Sequence, residues 1–200
     1  MRKKLLTLTL IAGMIFAMMS ISAIAASNSE FEIENGVLKK YKGNSSTVVI
    51  PGNVTSIGPG AFNGCDSVTN VIIPNSVKEI QYQAFVGCNN LYSVTIPNSV
   101  TTIGFNAFAR LGKLSEVSIP DSVTNMQHRV FSYCSSLSRV KLSNSLTKIP
   151  YGTFEFCESL TSITIPSSVT TIEHEAFTDC KSLEEAKLSN SMNRTGDSTF

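Results

Sequence analysis

The 200-residue sequence has no tryptophan, only two histidines and little charge, with 16 basic residues against 15 acidic ones. Without a basic stripe there is no electrostatic footprint for a nucleic acid, so that class of partner is excluded. With only His128 and His174 to serve as imidazole bases or ligands, histidine chemistry has two places to occur. They lie two sequence periods apart, ~10 Å if each period is one rung of a stacked sheet, too far to share a metal ion. A nucleophile needs a base within hydrogen-bond reach, and the serines recur at turn positions, which accounts for them structurally. The reading is therefore non-catalytic, with no cofactor and no metal. Long apolar runs are missing as well, except at the N-terminus.

That exception, residues 1–25, reads as a secretory signal peptide. Arg2, Lys3 and Lys4 form a basic start, Leu5 to Met19 an apolar run, and Ala23 and Ala25 supply the small residues of a cleavage site. The run is short for a membrane span. After cleavage no segment long enough to span remains, and 13 basic residues face 15 acidic ones, a balance of −2.

The rest of the chain is periodic. Phe62, Phe85, Phe108, Phe131, Phe154, Phe177 and Phe200 recur every 23 residues. Pro51, Pro74, Pro97, Pro120 and Pro166 keep a second phase, with Ser143 and Ser189 in the gaps. A fixed period of this length marks a solenoid, in which each unit packs only on its neighbours. Six full units follow one another, 48–70, 71–93, 94–116, 117–139, 140–162 and 163–185, and a partial seventh closes the 48–200 array.

A pattern such as Leu91-x-x-Val94-x-Ile96 straddles the start of each unit, repeated as Leu114-x-x-Val117-x-Ile119 and Leu160-x-x-Ile163-x-Ile165. Alternation of this kind predicts a short strand with its apolar side inward. The strand ends at Ile-Pro, where proline cannot donate to a ladder. Inward pairs such as Val77 and Ile80 predict a second short strand, followed by one helical or 3₁₀ turn over Ala84-Phe85. Cys65, Cys88, Cys134, Cys157 and Cys180 share one phase with Leu111, so the site is an apolar one and the thiols are expected to be buried and free.

Residues 26–47 break the period. Phe31-x-Ile33-x-Asn35-Gly36-Val37-Leu38 alternates around Asn-Gly, the signature of a type I′ hairpin, which is expected to cap the first rung. At the other end Thr195 and Thr199 degrade the last unit, and the chain stops on Phe200 before its cysteine phase. That leaves an apolar rung open and favours an array that continues over a polar cap.

The unit I-P-x-S-V-T-x-I-x-x-x-A-F-x-x-C-x-S-L-x-x-V resembles the BspA-type leucine-rich repeat of bacterial secreted and surface proteins, and it covers residues 48–200. The resemblance implies a β-rich leucine-rich-repeat solenoid with an N-terminal hairpin cap. It also implies a secreted or cell-surface protein that mediates adhesion or protein–protein interaction, with host or matrix proteins as the partner class. Ordinary leucine-rich repeats carry an asparagine ladder; here Ser76, Ser99, Ser122, Ser145, Ser168 and Ser191 hold the place, and their hydroxyls are expected to bond the turn backbone.

Two surfaces are candidates for a protein or glycan ligand. Tyr82, Phe105, His128, Tyr151 and His174 share one phase and form an aromatic strip, which serves either as a contact surface or as a ladder shielding the Ala-Phe turn. Tyr92, Glu116, Arg139, Lys141, Glu184, Glu185 and Lys187 mark the outward side of the first strand, which is either a binding face or a solvated one. The alternative role is a structural spacer within a larger surface protein.

Overall fold

Fourteen short strands, two per unit, carry the periodic part of the chain in the computed structural model, which describes residues 28–188 and 190–200. The leader assigned to residues 1–25 lies outside the described residues, as does Ser189. A 3₁₀ helix at Asn28–Glu30 leads into β1 (Phe31–Glu34) and β2 (Val37–Tyr41), which pair antiparallel. Asn35 and Gly36 turn between them at φ 50° and 77°. Both central residues of a type I′ turn need positive φ, which is why Asn-Gly stands there.

Beyond the hairpin the strands alternate between two parallel ladders. The first ladder holds β3 (Thr47–Val49), β5 (Asn70–Ile72), β7 (Ser93–Thr95), β9 (Glu116–Ser118), β11 (Arg139–Lys141), β13 (Ser162–Thr164) and β15 (Glu185–Lys187). It hydrogen-bonds in three groups, β3-β5-β7, β9-β11 and β13-β15. The second ladder holds the two-residue strands β4 (Ser56–Ile57), β6 (Glu79–Ile80), β8 (Thr102–Ile103), β10 (Asn125–Met126), β12 (Lys148–Ile149), β14 (Thr171–Ile172) and β16 (Arg194–Thr195). Partners sit one period apart, Val48 on Val71 on Val94 and Ile57 on Ile80 on Ile103, so equivalent side chains superpose. The hairpin joins the second ladder: β2 lies parallel to β4, with Leu38 on Ile57.

Between the ladders runs a column of rings. Phe62, Phe85, Phe108, Phe131, Phe154, Phe177 and Phe200 stack at centroid distances of 4.8, 5.2, 5.5, 5.8, 5.5 and 5.4 Å. Tyr41 and Phe31 extend the column into the hairpin at 5.3 Å each. The cap therefore covers Phe62 with a ring of its own. A fully buried phenylalanine contributes ~1.5–3 kcal/mol in transfer terms, and each stacked pair adds ~0.5–1.5 kcal/mol. The five cysteines are free. The Sγ–H groups of Cys88, Cys134, Cys157 and Cys180 donate to the carbonyls of Phe62, Phe108, Phe131 and Phe154, one rung back, at 3.0–3.2 Å.

The segment over Ala84-Phe85 is not a helical or 3₁₀ turn. It is three overlapping β-turns, closed by Ala84 N to Gln81 O, Val86 N to Gln83 O and Cys88 N to Phe85 O. The third residues of the first and last, Gln83 and Gly87, have φ of 52° and 73°, the mark of type II turns. The same two phases are left-handed in later units, at Asn106 and Arg110, Arg129 and Tyr133, and Glu175 and Asp179. The reversal frees alternate N–H groups to point along the solenoid: Gln83 N bonds Phe105 O and Phe85 N bonds Ala107 O, both at 2.9 Å. A helix would have kept those donors within its own rung.

The serine series is made as expected in its first three members. Ser76, Ser99 and Ser122 donate to the carbonyls of Val54, Val77 and Val100, one rung back, at 2.6–2.7 Å. In unit 140–162 the bond moves from Ser145 to Ser143, which replaces proline and reaches Val123 O at 2.8 Å. The hydroxyl of the half-buried Ser168 is shielded without such a bond.

The second ladder is interrupted once, between β10 and β12. The residue after each of its strands donates to the rung before: Gln81 N to Ile57 O, Gly104 N to Ile80 O, Gln127 N to Ile103 O and Glu173 N to Ile149 O. In unit 140–162 that residue is Pro150, which has no N–H. Pro150→Gln is expected to restore a bond to Met126 O and join the two sheets. The gain of a hydrogen bond and the loss of a rigid residue from the unfolded chain nearly cancel, each ~0.5–1.5 kcal/mol. The readout is therefore hydrogen exchange: the backbone amide introduced at position 150 should be protected to the level of Gln127, and an amide exchanging as freely as in a peptide would refute the assignment.

Candidate interaction surfaces

The first ladder has one face inward and one outward. Val94, Val117 and Ile163 point in and are buried, while Ser93, Thr95, Glu116, Ser118, Arg139, Lys141, Ser162, Thr164, Glu185 and Lys187 are exposed. The outward side is a trough rather than a flat sheet. A hollow of ≈ 1070 Å³ spans β7, β9, β11 and β13, and a second of ≈ 410 Å³ adjoins it over β3, β5 and β7, sharing Ser93 and Thr95. Small residues at the centre, Ser93, Thr95 and Ser118, leave the trough open. Glu116 and Arg139, on the same phase of adjacent units, pair at 3.2 Å, and Lys187 lies 3.7 Å from Glu185. Tyr92 and Glu184 sit just ahead of β7 and β15 rather than within them; Tyr92 is 51% exposed.

The aromatic strip comes together in two pairs. The Tyr82 and Phe105 rings stack at 5.7 Å, and His128 meets Tyr151 edge-on at 6.0 Å. Between the pairs lies a small cleft of ≈ 250 Å³ lined by Phe105, Met126, Gln127, His128 and Lys148. Tyr82 stands 49% exposed, whereas Tyr151 is half-buried. His174 turns to the next unit, where its Nδ1 accepts a hydrogen bond from Asp197 N at 3.0 Å.

Tyr151 belongs to a polar network that the periodic pattern does not announce. Its hydroxyl donates to Glu175 at 2.6 Å and accepts from Arg129 Nη2 at 2.8 Å, and the guanidinium lies 4.9 Å over its ring. Hydrogen bonding to Glu175 raises the phenol pKa. Arg129 Nε also faces the buried Glu155 carboxylate at 3.4 Å. Gly152 makes room for this arrangement, since a Cβ there would stand 2.9 Å from Arg129 Cγ. Next to it, Glu173 binds Lys148 at 2.7 Å, accepts the Tyr151 amide at 2.9 Å and faces His128 at 3.5 Å. Burial works against its charge, but the Lys148 and Tyr151 bonds outweigh it and hold the carboxyl below its usual range. A third stack, Arg110 over Tyr133 at 5.0 Å and Tyr133 on Phe156 at 4.5 Å, follows the left-handed turn phase.

Chemically these groups are engaged with one another. Burial pushes the thiols of Cys88, Cys134 and Cys180 up to about 12, far from thiolate reactivity. Among the described residues no cluster of three or more His, Cys, Asp or Glu is placed to hold a metal ion, and no helix is long and apolar enough to cross a membrane.

A family model described as a BspA type leucine rich repeat region matches in six copies, over residues 5–92, 32–155 and 101–200. No curated protein matches significantly. Among solved structures, a leucine-rich repeat protein from Bacteroides ovatus is similar at 30% identity and a TM-score of 0.73, over 80% of this chain and 43% of that one. A leucine rich repeat protein of T. pallidum is similar at 21% identity and 0.63, over 78% and 89%. The pneumococcal vaccine antigen PcpA follows at 20% identity and 0.60, over 84% and 45%. The chain thus spans less than half the length of the first and third of these.

Proposed function

Because the chain belongs to the BspA-type leucine-rich repeat family, we propose that it is a secreted or cell-surface protein that binds other proteins without catalysis. We place the contact surface on the outward side of the first ladder. The observation that supports this is the trough itself, an open surface lined by exposed side chains from successive rungs and backed by the buried apolar core. A rigid backing matters, because a surface that is already ordered loses little entropy when a partner docks. Export rests on the basic and apolar N-terminal segment. Adhesion to host or matrix proteins is the partner class.

The test is capture of matrix proteins and of host-cell lysate by the protein and by Thr95→Arg, which fills the trough from an outward, exposed position. Binding by the parent and loss of at least ~10-fold in the variant, about 1.4 kcal/mol, is the expected result. Equal capture by both would move the contact elsewhere, first to Tyr82 and Phe105. No capture by either would favour a spacer that holds another domain away from the surface.

A further inference from the structure

The outward face of the first ladder changes character along the solenoid. One column of outward residues reads Val49, Ile72, Thr95, Ser118, Lys141, Thr164, Lys187. It begins apolar, with Ile72 41% exposed over the ≈ 410 Å³ hollow, and ends cationic. The charges are unequal in availability. Arg139 is matched by Glu116 at 3.2 Å and Lys187 by Glu185 at 3.7 Å. Lys141 has no carboxylate within 4 Å among the described residues. Asp121, whose carboxylate feels the Lys141 charge, is committed to the Asn144 amide at 2.8 Å.

Resting on the reading that this face binds protein, we propose that its occupant is an extended polypeptide segment lying across the strands. An apolar side chain sits over Ile72, and an Asp or Glu four residues away meets Lys141. The spacing follows from geometry. Ile72 and Lys141 are three rungs apart, ~14 Å at 4.8 Å per rung, and an extended chain covers ~13 Å in four residues. Extended side chains alternate, so residues 0, 2 and 4 all face the protein. The middle one falls over Thr95 and Ser118, where the trough has space. Ser93, in the flanking outward column, offers a hydroxyl to the segment's peptide groups, and Ser162 and Thr164 line the trough one rung beyond Lys141. A polyanion such as a nucleic acid is disfavoured by Glu116 and Glu185, and a neutral glycan leaves Lys141 without a counter-charge.

The experiment is selection of a displayed random 12-residue peptide library on the protein, on Lys141→Glu and on Ile72→Ser. Both substitutions are outward, and melting curves should match the parent. The expected result is enrichment of an aliphatic or aromatic residue four positions from Asp or Glu. In Lys141→Glu the acidic position should change to Lys or Arg, and the parent-selected peptide should bind at least ~10-fold more weakly. In Ile72→Ser the apolar preference should vanish. No enrichment, enrichment without an acidic position, or the same acidic motif on Lys141→Glu would each overturn the proposal. The underlying reading fails separately: matrix capture that survives Thr95→Arg removes the face, while capture lost in Thr95→Arg with no acidic motif removes only the ligand chemistry.

Discussion

Phe108→Ala is expected to destabilise the solenoid by ~3–5 kcal/mol, roughly 10 °C in melting temperature for a chain of this length. Phe108 is wholly buried, with rings above and below at 5.2 and 5.5 Å. Its backbone is fixed by bonds to the next rung, Phe108 N to Val130 O at 3.0 Å and Cys134 Sγ to Phe108 O at 3.2 Å. The turn therefore cannot collapse into the space without breaking contacts on both sides. In a stacked array the loss is felt as weaker coupling between neighbours. Limited proteolysis should then cut near this rung before any other. Phe200→Ala supplies the control: that ring is 60% exposed with one neighbour at 5.4 Å, so less than ~1 kcal/mol is expected. Equal melting of the two variants would deny the column its structural role.

The column was legible because a 23-residue period writes each of its phenylalanines at one phase. Its N-terminal continuation was not. Phe31 and Tyr41 come from a hairpin whose chain reverses, so their rings reach the same axis without keeping the spacing. The left-handed turns had a signal that alternation and hydrophobicity do not carry: Gly60 and Gly152 at one phase, Gly64 and Gly87 at the other, with Asn106 and Asp179 between. Small and amide residues recurring at fixed phases point to positive φ, hence to turns rather than a helical segment. Pro150 was visible as a proline out of phase, but its effect required knowing that this residue donates to the preceding rung. On the surface, alternation separated outward from inward residues, and one shared phase put Glu116 beside Arg139. What no period conveys is how long side chains cross between phases. Arg129 reaches Tyr151, Glu155 and Glu175 because Gly152 lacks a side chain beneath it.

Arg129→Met should expose the cost of that crossing. Glu155 has a side chain only 9% exposed and faces Arg129 Nε at 3.4 Å. Burial pushes its carboxyl above the usual range, and the guanidinium opposes the shift. Removing the guanidinium leaves a buried carboxylate without its counter-charge, a loss of about 3 kcal/mol near neutral pH. The loss should depend on pH with a definite sign. A carboxyl whose folded pKa is raised contributes stability below its unfolded value, and that contribution is lost as pH rises through the folded value. Without Arg129 the folded pKa climbs further, so the window of loss extends to higher pH and the deficit at its top is larger. Urea titrations should show the variant's deficit shrinking as pH falls from neutrality into the ordinary carboxylate range, as Glu155 takes up a proton in the folded state. Arg129→Met/Glu155→Met should recover most of the stability at the upper pH, because two apolar side chains replace the pair. Both variants lose Arg129 alike and leave the Tyr151–Glu175 pair in place, so the difference between them isolates the stranded carboxylate. A deficit equal at both pH values, or a double variant no better than the single one, would mean that Arg129 acts through its packing on the Tyr151 ring and not through its charge.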